Sequence, residues 1–138
     1  MINISCLLRE KGYKVTPQRL AIYEALACTK IHPSAETLFQ QLVPRYPMMS
    51  LATVYKTIEI FKNVGIATVI NVGENSFRYE LTAEHHPHMV CKQCHGVEDA
   101  IWPDDTDYKQ KLLQQFQFNL HTQQFFFYGV CRTCKSAE

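Results

Sequence analysis

Nowhere in these 138 residues does an apolar run approach the roughly 20 residues needed to cross a bilayer, which argues against a membrane-spanning protein. The opening stretch MINISCLLREKGYK has no basic segment followed by a long apolar one, so no secretion signal is expected there. Together these absences predict a soluble, cytoplasmic protein with no membrane partner. No internal repeat or low-complexity tract is visible, which sets aside repeat arrays and disordered chains. Net charge is also scarce. At +1 it makes a weak case for nucleic acid by itself. Divided at Glu84, the chain shows nine Lys/Arg against seven Asp/Glu in residues 1–84 (+2) and five against six in residues 85–138 (−1). The sign, though not the size, suits an N-terminal half that meets DNA. Finally, no H-E-x-x-H motif occurs, and a zinc hydrolase needs an open metal position and a general base. No residue is assigned a catalytic role, and the chain is read as a non-enzyme.

What is present is a globular composition, 46% hydrophobic and 20% charged, long enough for one ordinary domain or two small ones. Residues 4–11 read as a short helix closed by Gly12. Thr16 caps TPQRLAIYEALACT with Pro17 at the first helical position, where proline costs no hydrogen bond. Leu20, Tyr23 and Ala27 are expected on its buried face. Ser34 caps AETLFQQLV, whose stripe is Leu38, Phe39 and Leu42. Ser50 caps LATVYKTIEIFKNV, ended by Gly65, with Leu51, Val54, Ile58 and Phe61 inward and Thr53, Tyr55, Lys56 and Thr57 outward. IATVINV and FRYEL, separated by GENS, form a hairpin. Short helices followed by a hairpin predict a winged helix-turn-helix with the fourth helix in the major groove.

The second half changes character. HMVC and GVEDAIW read as strands, DDTDYKQKLLQQF as a helix with acidic residues at its start, and FFFYGVC as a final buried strand. The whole is an α+β chain: a winged helix, then a small α/β module. About 55 residues rarely supply enough core alone, so the module needs a metal staple, a partner subunit or both.

Six cysteines would suggest disulfides only in an oxidising compartment, so their spacing calls for metal or redox chemistry. Cys91-x-x-Cys94 and Cys131-x-x-Cys134 are two knuckles, and four thiolates suit a closed, tetrahedral structural zinc. A thiol redox switch and a rubredoxin-like iron site are the alternatives. Cys6 and Cys28 lack the spacing and are expected in the core. HHPHMVCKQCHG, residues 85–96, leaves histidines over. His86 and His88 alternate along a strand and so share a face. Glu80 ends the hairpin, Asp99 follows the first knuckle, and His32 precedes Pro33. Singly, each reads as an ordinary surface or capping residue, and periodicity does not show whether the fold gathers them.

TPQR, HPSAE, SLATVYKTI, HHPHMVCKQC and YGVCRTC, in this order over nearly the whole chain, closely resemble the ferric uptake regulator family of metal-dependent repressors. The resemblance implies a homodimer that binds a double-stranded DNA operator. Residues 1–82 would be the winged-helix DNA-binding domain and residues 83–138 the zinc-stapled dimerisation domain. It implies Zn(II) on Cys91, Cys94, Cys131 and Cys134, and a regulatory Fe(II) or Mn(II) on His32, Glu80, His86, His88 and Asp99. The stretch 85–96 would then serve two metals, leaving His85, His95 and His121 solvated. Thr53, Tyr55 and Lys56 are the expected groove-facing residues, with Lys14 and Arg19 on the DNA backbone.

Within the family, a further metal site of many iron sensors falls on Pro87 and Gln123 here, neither a fitting ligand. Asp99 matches the peroxide sensors, in which it accompanies oxidation of histidine ligands, mapping to His32 and His86. Glu80 and Lys56 depart from the best-known peroxide sensors. The balance favours a peroxide-responsive repressor; the alternatives are an iron-uptake regulator and, in another class, a zinc-ribbon interaction protein.

Overall fold

The computed structural model describes residues 3–29, 31–73, 75–81, 86–100, 107–121 and 123–136. The chain divides into two compact units, Met1–Ala83 and Glu84–Glu138.

In the first unit every helix begins on a side chain that accepts a hydrogen bond from an otherwise unmatched backbone N–H. Asn3 caps α1 (Ile4–Glu10), Thr16 caps α2 (Pro17–Cys28), Ser34 caps α3 (Ala35–Leu42) and Ser50 caps α4 (Leu51–Asn63). Gly65, at φ +85°, takes the left-handed conformation just past α4 that a residue with a Cβ rarely adopts. The chain then enters strand β1 (Ala67–Gly73), which pairs antiparallel with β2 (Ser76–Leu81). Leu8, Ile22, Leu38, Val54, Ile58 and Phe61 are buried at the centre of the unit. Tyr23 meets Phe61 edge-on, with ring centroids 6.1 Å apart. Helix α3 packs on α4, and the hairpin is tied back by the Tyr79 N–H, which donates to the Pro33 carbonyl at 3.0 Å. This is a winged helix-turn-helix.

Several inward and outward assignments change. Helix α2 buries Ala21, Ile22 and Leu26, while Ala27 is exposed and Leu20 and Tyr23 sit half-buried at the margin. The helix packs against α3, α4 and β2, and apolar residues on several of its sides left the inward face ambiguous. Thr57 is buried on α4 rather than outward, next to Ile58 and one turn from Phe61. Cys6 and Cys28 are exposed, not core. Ile4 and Leu8 take the inward face of α1, leaving Cys6 on the other side, and Cys28 lies beyond Leu26 at the end of α2.

The second unit holds a three-stranded sheet in the order β4–β3–β5, where β3 is His88–Cys91, β4 is Val97–Asp99 and β5 is Phe126–Gly129. Strand β3 runs antiparallel to β4 and parallel to β5. Helix α5 (Asp107–Phe116) lies between β4 and β5 in the chain, and α6 (Arg132–Ser136) ends the described residues. The acidic start expected for α5 at 104–106 and residues 101–102 of GVEDAIW lie outside the described residues. Strand β5 is largely exposed, contrary to expectation. Phe127 and Tyr128 are 44% and 50% exposed, and Met89 on β3 is 42% exposed. A sheet this small has too little chain to cover its own apolar face. The short helix α6 starts at Arg132, inside CRTC, which two-residue knuckle spacing does not announce.

Candidate metal centres and recognition surface

The four knuckle cysteines come together within the second unit. Their sulfur atoms all lie within 4.8 Å of one another, and Cys94 Sγ is 3.8 Å from Cys131 Sγ. Sulfurs about 2.3 Å from a central cation in a tetrahedron would be about 3.8 Å apart, so the cluster fits a closed soft-metal site. Backbone geometry builds it. The Cys91 N–H donates to the Gly96 carbonyl at 3.0 Å, and the His95 N–H donates to the Cys91 carbonyl at 3.0 Å, closing the first turn. His95 takes φ +61° to do so and is half-buried, so it is not the freely solvated residue expected. His121 is exposed, and His85 lies outside the described residues. The N–H groups of Cys94 and Cys131 point at Cys91 Sγ from 3.5 and 3.4 Å. Those donors pull the Cys91 thiol down to about 6, favouring thiolate. Cys134 is pushed up to about 12, chiefly by its hydrogen bond to Cys131, with burial adding to it.

The other five candidate ligands fall into two sets, one in each unit. In the first unit His32 Nε2 is 2.7 Å from Glu80 Oε2, both side chains largely shielded from water. The Pro33–Tyr79 backbone bond explains this pairing, since it stitches the α2–α3 loop onto β2 beside Glu80. In the second unit Asp99 Oδ1 lies 3.0 Å from His86 Nε2 and 3.6 Å from His88 Nε2. The cross-strand register sets His88 opposite Asp99. His86 precedes β3, yet its ring centroid lies 4.6 Å from that of His88, and the Ala100 N–H donates to the Pro87 carbonyl at 2.8 Å. His88 is buried and stacks on Phe126 at 5.8 Å. Each set joins imidazole nitrogen to carboxylate oxygen, a donor mix suited to a borderline or hard divalent cation.

On α4, Thr53 is half-buried, and Tyr55 and Lys56 are exposed. The Thr53 and Ser50 hydroxyls are 2.9 Å apart, and the Tyr55 Oη donates to Glu36 Oε1 of α3 at 2.6 Å. That bond holds the Tyr55 phenol up at about 12 and, with the help of Glu36's own backbone, holds the Glu36 carboxyl below its usual range. Arg19 Nη1 donates to the Lys14 carbonyl at 2.7 Å, so it braces the segment carrying Lys14. Glu36 went unrecognised in the sequence. It lies 19 residues from Tyr55, and no periodic pattern links positions across a turn.

The sequence profile of the ferric uptake regulator family matches residues 10–128. The peroxide-responsive repressor PerR of Staphylococcus saprophyticus is 33% identical over 93% of this chain and 86% of its own length. Among solved structures, the Vibrio cholerae ferric uptake regulator, described through rearrangement of its DNA-binding domains, is 32% identical. It covers 92% of this chain and 98% of its own, with a TM-score of 0.72. PerR of Streptococcus pyogenes, studied for peroxide sensing and gene regulation, is 28% identical over 96% and 90% of the two chains, with a TM-score of 0.56. The chain therefore belongs to the ferric uptake regulator family.

Proposed function

We propose that this chain is a dimeric, metal-dependent repressor of transcription that responds to peroxide. The observation carrying the reading is the pair of donor sets, His32 with Glu80 and His86 with His88 and Asp99, one in each unit. A single Fe(II) or Mn(II) held by both sets would fix the angle between a DNA-binding unit, residues 1–82, and a dimerisation unit, residues 83–138. Metal and operator would then strengthen each other's binding reciprocally. Zn(II) on Cys91, Cys94, Cys131 and Cys134 serves the fold, because a four-sulfur shell leaves no open position. The exposed apolar residues Met89, Phe127 and Tyr128 supply a homodimer surface. On α4, Thr53, Tyr55 and Lys56 meet the groove of a double-stranded operator, with Lys14 on a phosphate and Arg19 supporting it.

Peroxide sensing is favoured over plain iron sensing by Asp99 and by what stands at the further site of iron sensors. Pro87 carries no donor there, and the Gln123 amide is engaged with the Tyr108 hydroxyl. Bound Fe(II) supplies the one-electron chemistry that activates peroxide. The chain supplies the targets, His32 and His86, and an imidazole that has gained oxygen is a weaker ligand, so the two units come apart and DNA is released. Peptide mass spectrometry after brief peroxide treatment of the Fe(II)-loaded protein tests this. One added oxygen on His32 or His86, absent from the Mn(II) form, is the expected result. Oxidised cysteines with intact histidines would point to a thiol switch. No modification with DNA binding retained would favour the iron-uptake reading, which Glu80 and the 32% identity to the Vibrio cholerae regulator support. A zinc-ribbon interaction protein would show no metal-dependent DNA binding at all.

A further inference from the structure

One short side-chain contact joins α4, proposed above to meet DNA, to α3, and the proposed function does not use it. Tyr55, in the second turn of α4, donates its phenol proton to Glu36, in the first turn of α3, at 2.6 Å. Both residues are exposed, so the bond serves no core. The two helices are separately anchored: Ser34 and Ser50 cap them, and Leu38 and Val54 pack in the shared core. What the bond does fix is a rotor. A phenol is ordinarily both donor and acceptor, and it turns to suit its partner. Here the proton is committed, and the raised phenol and lowered carboxyl agree that it stays on the tyrosine and points at Glu36. The outward side of Tyr55 Oη then offers lone pairs only.

We infer that Glu36 is a positioning residue for base selection: it holds Tyr55 as an acceptor-only reader in the groove. The inference rests on the proposal that α4 meets DNA. In the major groove only the exocyclic amino groups of adenine and cytosine donate hydrogen bonds, while guanine and thymine oxygens accept. A Tyr55 oxygen that can only accept favours a base pair that turns an amino group toward it and is indifferent or hostile to a carbonyl. The Glu36 charge adds a second discrimination. It sits on the surface that approaches phosphate, where an anion weakens binding to every sequence alike. Glu36 therefore lowers nonspecific affinity while raising selectivity, which a merely structural carboxylate would not do.

The test selects duplexes from a random pool with the full-length, Mn(II)-loaded wild type. It then compares affinity for the selected duplex with affinity for a version altered at each position in turn, for wild type, Glu36→Ala, Glu36→Gln, Tyr55→Phe and the Glu36→Ala/Tyr55→Phe pair. The expected result is a loss of about tenfold in preference at one position per half-site, the size of one good base contact. It should be equal in Glu36→Ala, Tyr55→Phe and the pair. Glu36→Gln, whose amide oxygen still accepts from the phenol, should recover part of it. A Glu36→Ala protein that matches wild type at every position overturns the inference while leaving the regulator reading intact. Independent losses that multiply in the pair overturn it too. A wild type that selects no sequence at all removes both.

Discussion

Asp99 is the residue on which the proposed regulatory set of the second unit turns, because one of its oxygens lies near both His86 and His88. Asp99→Asn keeps the shape and removes the charge, so Mn(II) affinity should fall by at least about tenfold while zinc content is unchanged. A Mn(II) titration with parallel metal analysis measures both. Tyr55 gives a second residue-level check. Its phenol is raised to about 12 by Glu36, so the folded protein holds that proton more tightly than the unfolded chain does. The stabilisation is present below the ordinary value of 10.0 and is lost as pH rises through about 12. In Glu36→Ala, tyrosinate absorbance should show one phenol titrating closer to 10.0, whereas an unchanged titration would mean that the bond is not formed in solution. The cysteine knuckles were legible from their spacing, whereas the five further candidate ligands came only from the family resemblance, since singly each reads as an ordinary surface or capping residue. The bond between Tyr55 and Glu36 was not legible, because it depends on how two helices cross.

At the scale of elements, the helix starts read directly from local chemistry. Thr16, Ser34 and Ser50 each precede an apolar periodic run and each accepts the backbone N–H three residues on. Ser50→Ala should cost about 1 kcal/mol of stability by thermal or denaturant unfolding, with α4 otherwise intact. No measurable change would mean that Thr53 or water replaces the cap. Element ends were harder to read. Strand β4 stops at Asp99, and α6 arises where only a knuckle was expected. Faces were hardest where apolar residues surround a helix, as on α2, or where a polar residue is buried beside the core, as Thr57 is on α4. The small second unit makes its own prediction. Cys131→Ser should release zinc and lower the melting temperature, since metal binding is part of the folding free energy of such a module. A zinc-free variant that melts like wild type would show that the sheet folds without its staple.

For the whole molecule, composition predicted little, and a net charge of +1 concealed a DNA-binding candidate. The division into a helical unit with a hairpin and a small sheet unit followed from the change of pattern near residue 84. The role of β5 did not follow, because an apolar strand in one chain reads the same whether its own core or a second copy covers it. In the proposed function a regulatory metal joins these units. The most direct test of that coupling is the affinity of the purified protein for its selected duplex, measured by fluorescence anisotropy with and without Mn(II) at fixed salt. The zinc site is kept loaded throughout. Adding Mn(II) should raise affinity by roughly 5–150-fold, the usual span of coupling between linked sites, and the gain should be lost in His32→Ala. Equal affinity with and without Mn(II) would contradict that coupling.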